Sequence, residues 1–366
     1  MSQDVPESPP GPQALVFQAT LPDTLVPRFG LQDVEQIRLL LNGRSAIDWR
    51  RLGFHRRAQV DEFLRVNGLE PDDNEDRRQL AYVHRRALDY MRHTFGSEVE
   101  LGVSDPEDVR DLFLLASQPG PAQLDACRVL KVMHVIHHVD GRELLFRMPI
   151  ALSELFHRVE QRVFGAIDGL KSSGVHVAEF SGSRKTEESI LTKLLARRDS
   201  LAAEVHDKLR FRIVTENLSD CFGALAFLST HLFPFNYVVP GASRNDLIDF
   251  QRTLESDDTL RTLVRFLQLP IDFEEKLERA RTNVFSAAGF KMINFVVDIP
   301  VRVDDLVAGM PGHSRELGRV VFCLVEFQLM DRETDLNNDS GENRHSLYKA
   351  RQHAKVLERL NGTEDT

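Results

Sequence analysis

The 366-residue chain has three cysteines, Cys127, Cys221 and Cys323, and no two of them are close in sequence. Without a CxxC pair, neither a disulfide framework nor a zinc ribbon is expected. Each cysteine has apolar neighbours and reads as a small core residue. Long apolar runs are also missing, since no stretch reaches the ~18 residues of a membrane-spanning helix. The opening MSQDVPESPPGPQ lacks the charged start and apolar run of a signal peptide, so a cytoplasmic location is the expectation. Positive charge is not in excess: 46 Lys+Arg stand against 56 Asp+Glu, a net charge of −10. A chain this acidic is not suited to coating DNA or an anionic membrane through broad electrostatics. A local basic pocket for an anionic ligand remains compatible with it. There is no internal repeat, and no low-complexity tract beyond the start of the chain.

What is present is an ordinary globular composition, 42% hydrophobic and 28% charged, of a length that predicts two domains or one large one with extensions. Prolines crowd the first residues, and 1–28 read as a disordered lead-in. Residues 29–170 carry helical periodicity. DVEQIRLLLNG reads as a short helix closed by Gly43, and Ala58 to Val66 as a second that stops at Asn67-Gly68. DNEDRRQLAYVHRRALDYMRHTFG places Leu80, Val83, Ala87 and Tyr90 on one stripe, with acids at its start and His93 before Gly96. Further helices are predicted around 107–117, 121–139 and 150–170. From 171 to 360 the pattern changes. Short β-rich runs (VHVAEF, RFRIVTE, YVVP, INFVVDIPVRV, RVVFCLVEFQLM) alternate with helices near 186–206, 218–231 and 255–269. The fold class is α+β: a helical N-terminal domain, then a mixed sheet with flanking helices.

Three clusters could carry chemistry. In SGSRKTEESILTKLLARR, Lys185, Ser189 and Lys193 fall within roughly 80° of one another on a helix, at about 100° per residue. Two ammonium groups and a hydroxyl near a helix N-terminus suit phosphate, and a solvated basic face is the plainer alternative. In HDKLRFRIVTE, Asp207 precedes a strand that contains Arg212, a place for a metal-holding carboxylate or for a simple cap. In RVVFCLVEFQLMD the strand is apolar on both faces and therefore central. Glu326 and Gln328, spaced by two, interrupt it on one face. A carboxylate buried there is costly without a partner or metal, which makes Glu326 the strongest single signal in the chain. Downstream, His345, Tyr348 and Lys349 open a C-terminal helix.

In order, these clusters resemble the nucleotidyltransferase domain of RelA/SpoT-type alarmone synthetases over about residues 180–350. That family's K-x-x-x-S-I-x-x-K is matched by Lys185, Ser189-Ile190 and Lys193. Its acid and arginine entering a strand are matched by Asp207 and Arg212, and its D-C-Y by Asp220-Cys221-Phe222. Its E-x-Q is matched by Glu326 and Gln328, and its closing H-x-x-Y-K by His345 and Tyr348-Lys349. The resemblance implies an ATP-dependent pyrophosphokinase acting on the 3′-hydroxyl of a guanine nucleotide. It implies that Lys185, Ser189 and Lys193 hold the triphosphate of ATP, with Arg212 on the adenine. It further implies that Asp207 and Glu326 bind Mg²⁺, that Glu326 helps deprotonate the acceptor, and that Gln328 and His345 line the acceptor side with Tyr348 and Lys349.

The departures fall mainly on that acceptor side. The family's G-Y-x-S-x-H is matched by Gly289-Phe290-Lys291-Met292-Ile293-Asn294, which keeps a ring at Phe290 but has Asn294 in place of His. Ser183 stands where the family has an arginine, which Arg184 replaces from a shifted position. About 30 residues, roughly 250–281, are inserted. Three readings stay open: a nucleotide pyrophosphokinase, a nucleotide-binding protein without turnover, and a toxin-type enzyme acting on tRNA 3′ ends. A competing metal site in KVMHVIHHVDGRE, with His134 and His138 one helical turn apart, lacks the adjacent His-Asp pair of the family's hydrolase domain. It reads instead as a helix end with satisfied histidines.

Overall fold

The structure is a computed structural model that describes residues 52–196, 208–248, 290–312, 316–340 and 345–361, with Ile37 and Leu40 besides; for 345–348 the backbone alone is described. The lead-in 1–28, Asp207, the expected helix at 255–269 and the inserted 250–281 lie outside the described residues.

Among the residues from 52 on, six helices precede the first strand: α1 (Arg57–Val66), α2 (Asn74–Phe95), α3 (Leu101–Ser104), α4 (Asp111–Ser117), α5 (Gln123–Arg147) and α6 (Leu152–Ser172). α2 begins where Asp73 accepts hydrogen bonds from the amides of Glu75 and Asp76, and ends at Gly96 in the left-handed conformation, φ 60°. Its apolar stripe, Val83, Ala87 and Met91, packs with Leu112 and Ala116 of α4 and Ala126, Val129 and Met133 of α5 into a core of the helical region.

The remainder is built on a five-stranded mixed sheet: β1 (Val177–Arg184), β2 (Leu209–Thr215), β3 (Arg244–Asn245), β4 (Ile293–Arg302) and β5 (Val320–Asp331). The strand order is β1-β2-β5-β4-β3. β2 and β5 run parallel, and the other neighbours are antiparallel. Between and after the strands lie α7 (Glu187–Ala196), α8 (Leu218–His231), α9 (Asp304–Val307), α10 (Arg332–Asn338) and α11 (His345–Leu360). β5, flanked on both sides, is the central strand anticipated from its apolar run. The YVVP segment makes only an isolated bridge, Val238 to Val297, beside a 3₁₀ turn at Phe235–Tyr237.

The two faces of the sheet are covered differently. Phe211, Phe295 and Phe327 point to one face, where α6, α8 and Phe233 bury them in the main core. That core runs across residue 170, because α6 contributes Leu155, Val159, Val163 and Ile167 to it. On the opposite face, α5 covers only the end carrying Phe322 and Asp298. It approaches so closely that a Cβ on Gly141 would sit 2.7 Å from the Val320 carbonyl oxygen. Arginines tie the helical region to the sheet. Arg162 donates to the carbonyls of Val66, at 2.7 Å, and Pro300. Arg302 donates to the Gly68 carbonyl at 3.0 Å and pairs with buried Asp76.

The histidine segment corrects an expectation. The helix does not end near 139 but continues to Arg147, so His134, His137 and His138 lie in its interior. Close packing of Gly141 on the sheet carries the helix past that point. His138 is satisfied by Asp298, 2.8 Å away, whereas His137 Nε2 has no hydrogen-bond partner among the described residues. Those residues also contain no group of three or more metal-ligating side chains. Two acids before the histidines are held by arginines: Asp76 receives Arg302 and the Glu70 amide, and Asp108 receives Arg57 and Arg110.

Candidate functional site

Strand register gathers polar side chains onto the part of the sheet face that α5 leaves uncovered. Residues paired across a ladder share a face. Arg212 pairs with Ser181 of β1 and Gln328 of β5, Gln328 pairs with Asn294 of β4, and Asn294 with Arg244 of β3. The result is a polar row, Ser181-Arg212-Gln328-Asn294-Arg244, across all five strands. One step along lies a second row, Ser183-Arg210-Glu326-Val296. At the far end Val214, Met292 and Met330 form a small apolar cluster against which Phe290 packs, half-buried.

Glu326 is the centre of this constellation. It is 6% exposed, a carboxylate on a central strand, and the face itself supplies its partners. Arg210 Nε donates to Oε2 at 3.0 Å. Asn294 Nδ2 and Gln328 Nε2 donate to Oε1 at 2.9 and 3.2 Å. Three donors, one of them charged, offset the desolvation of the carboxylate. Asn294 Oδ1 is buried and has no hydrogen-bond partner among the described residues. An acceptor left bare beside a buried carboxylate is costly, about 1–3 kcal/mol, unless a ligand or water meets it.

The sequence-predicted residues divide into two groups. Glu326, Gln328, Asn294 and Arg212 come together, with Phe290 at the edge of the same face. Arg212 is held by Asp335 of α10 and lies 3.8 Å from Glu179. The second group is the basic segment and its neighbour helix. Lys185 follows β1 directly, its amide bonded to the Lys208 carbonyl at 2.9 Å. Thr186 caps α7 and donates to the Ser189 hydroxyl at 3.1 Å. Lys193 is half-buried in the last turns of α7. α7 packs along α11, which carries an exposed Lys349 and includes His345 and Tyr348 in its backbone. Arg184 is committed elsewhere: its guanidinium forks onto Glu160 of α6 at 2.8 and 2.6 Å and stacks over Phe156. That bond holds the Glu160 carboxyl below its ordinary range.

Sequence reasoning missed Arg210 and Arg244. The signal for Arg210 was the alternation of LRFRIVT, which puts Arg210 and Arg212 on one face. β3 is only two residues long, so Arg244 carried no periodic signal at all. Each arginine on the face has a carboxylate beside it: Arg210 with Glu326, Arg212 with Asp335, and Arg244 with Asp246. A phosphate oxygen can exchange for these carboxylates at the planar guanidinium fork.

No protein-family model matches the chain, and no curated protein is similar to it in sequence. Solved structures do resemble it. Small alarmone synthetase 1 from Bacillus subtilis is 14% identical over 57% of this chain and 90% of that one, with a TM-score of 0.31. Small alarmone synthetase 2 from the same organism is 17% identical over 58% and 97%, with a TM-score of 0.27. A GTP pyrophosphokinase family protein from Streptococcus pneumoniae is 14% identical over 58% and 90%, also with a TM-score of 0.27. At that level of superposition, the functional reading of this chain rests on its own residues.

Proposed function

We propose that the open half of the sheet face is the active site of a nucleotide pyrophosphokinase that moves the β,γ-pyrophosphate of ATP to the 3′-hydroxyl of a guanine or other nucleotide. One observation carries the proposal: a carboxylate buried on the central strand, met by an arginine and two amides of the same face, inside a polar row spanning every strand. The ordered motifs from Lys185 to Lys349 add to it. In this reading the acceptor's 3′-oxygen bonds to the β-phosphorus of ATP. The bond from that phosphorus to the α,β-bridging oxygen breaks, AMP leaves, and the hydroxyl proton passes to Glu326. Such a transfer needs charge neutralisation and alignment more than covalent help. Arg210 and Arg212, with Lys185 and Lys193 from the α7 segment, supply the positive charge, and the Ser189 hydroxyl a further donor. Asn294 Oδ1 and Gln328 take up donors of the acceptor nucleotide, and Phe290 offers its ring to a base.

The donor set fits Mg²⁺. This ion binds through one or two carboxylates and completes its shell with water and phosphate oxygens. Glu326 Oε2 accepts one hydrogen bond and keeps lone-pair capacity. Glu326 would hold the ion together with Asp207, and the ion would neutralise phosphate charge. Gln328 and Asn294 meanwhile orient the carboxylate through Oε1.

A second reading is nucleotide binding without turnover. It is favoured by the commitment of Arg184 to Glu160 and of Arg212 to Asp335. Purified protein incubated with Mg²⁺, γ-labelled ATP and GTP, GDP, ATP or tRNA in turn separates the possibilities. Label on a nucleotide acceptor, abolished by a chelator, is the expected result. Label on tRNA reassigns the acceptor. Saturable ATP binding with no transfer supports the second reading, and neither binding nor transfer sinks both.

A further inference from the structure

The polar rows of the sheet face end against α5, and the charge found at that border comes from the helical region. Phe322, Leu324, Glu326, Gln328 and Met330 share one face of β5. Phe322 lies beneath Gly141 of α5, Leu324 is half-buried at the helix edge, and Glu326 comes next. Leu324 pairs with Asp298, and Glu326 with Val296. Two residues of strand span about 7 Å, so Asp298 stands one rung from Glu326. Against Asp298, α5 sets the guanidinium of Arg142.

Arg142 is only lightly engaged there. Its Nη1 donates to Asp298 Oδ2 at 3.4 Å, and His138 Nε2 lies 2.8 Å from the same oxygen. Arg210, Arg212 and Arg244 all pair more closely with their carboxylates. A guanidinium carries five N–H donors in a planar fork, and among the described residues Nε and Nη2 of Arg142 meet no acceptor. The side chain keeps 42% of its surface exposed, so a ligand on the open face can reach it. Along that face the order is the Phe290 ring beside Met330, then Gln328, the Glu326 carboxylate, and Arg142 beyond Leu324. A nucleotide has a matching order. Its base and its 5′-chain leave the ribose from opposite sides, with the 3′-hydroxyl between them. A base against Phe290 and a 3′-oxygen at Glu326 direct the 5′-phosphates towards Arg142.

We propose that Arg142 binds the 5′-phosphates of the acceptor nucleotide and so selects a nucleoside 5′-phosphate over an unphosphorylated nucleoside. The inference rests on the pyrophosphokinase reading of the sheet face, and adds to it a residue that no strand supplies. A planar fork suits phosphate oxygens, and Asp298 steadies it from one side only.

The test is calorimetric titration of the full chain with GDP, guanosine and ATP, followed by acceptor kinetics. Arg142→Met binds GDP about tenfold more weakly, the loss of a charge-assisted contact, and keeps guanosine and ATP within about twofold. Arg142→Lys, which keeps the charge without the fork, loses only about threefold. Arg147→Met removes an equal charge from the same helix, where Glu143 pairs with it, and leaves GDP affinity unchanged. In turnover, Arg142→Met raises the KM for GDP about tenfold with kcat within about twofold. Unchanged GDP affinity in Arg142→Met overturns the inference alone, provided the unaltered chain still labels GDP. So does an equal loss for guanosine, for ATP, or in Arg147→Met. Neither GDP binding nor label on any acceptor overturns the inference and the reading beneath it together. Should Arg142→Met fail to fold by circular dichroism, crystals of the unaltered chain with GDP decide. A 5′-phosphate oxygen within about 3.2 Å of the Arg142 guanidinium supports the inference. Phosphates placed elsewhere, or no bound GDP, overturn it.

Discussion

One face of the sheet carries two buried carboxylates, and their partners come from opposite sources. Asp298 on β4 is met by His138 and Arg142, at 2.8 and 3.4 Å, both from α5. Glu326 on β5 is met by Arg210, Asn294 and Gln328, all from strands of the sheet. The first carboxylate docks a helix, and its partners arrive only when the helical region packs down. The second is held by neighbours that the strand ladders already place, and among the described residues no helix covers it. The same chemical group thus acts as a fastener at one end of the face and, in the function proposed above, as an oriented base at the other. What separates the two roles is who supplies the partners.

The largest expected effect is on turnover. Glu326→Gln keeps the shape and one oxygen to accept from Arg210 but loses the negative charge, and the Asn294 and Gln328 amides turn over to meet its NH₂. It lowers the transfer rate by about 10³-fold, roughly 4 kcal/mol, with urea stability changed by less than about 1 kcal/mol. Full activity in that variant would remove Glu326 from the mechanism and with it the contrast with Asp298. Next comes Gly141→Leu, which forces α5 away from Phe322 and the Val320 carbonyl. It costs about 3 kcal/mol in urea unfolding. The paired test is Asp298→Asn, expected to cost about 2 kcal/mol of stability, since the partners are half-exposed, while leaving the KM for ATP unchanged. If Asp298→Asn and Glu326→Gln affect stability and activity alike, the division between fastener and base fails.

The helical side of the comparison also predicts a pH dependence. Burial lowers His134 to about 3 and His137 to about 4. Folded values below the unfolded value, 6.5, mean that the unfolded chain binds more protons. Stability is therefore fully present above about pH 6.5 and declines as pH falls towards 4. At 1.36 kcal/mol per unit, His137 alone contributes up to about 3 kcal/mol over that range. Between pH 7 and 5 the melting temperature should fall, and His137→Phe should flatten the slope. An unchanged slope would place the histidines in a wetter setting than this packing describes. The smallest effect is expected from Arg212→Lys, which keeps the charge but loses the fork held by Asp335. About a tenfold rise in the KM for ATP, with kcat nearly unchanged, is the outcome to measure.

Much of this was legible in the residues alone. Local rules were enough for α2, where an aspartate cap, an apolar stripe and Gly96 mark both ends, and for β5, whose doubly apolar run announced a central strand. The spacing of Glu326 and Gln328 placed both on one face before any packing was known. What was not legible lies in pairs distant along the chain. Arg210 meets Glu326 across 116 residues, and His138 meets Asp298 across 160. The histidine helix appeared to stop early because sequence around Gly141 weakens helical propensity. The sheet restores it, since the glycine there permits contact that a side chain would block. Periodicity assigns a residue to a strand and a side of that strand, because the backbone repeats every two residues. Which strand lies alongside, and whether a helix covers that side, depends on register and packing among distant segments. Glu326 stood out in the sequence, but its partners Arg210 and Asn294, and the docking contact of Asp298, were decided only at that level.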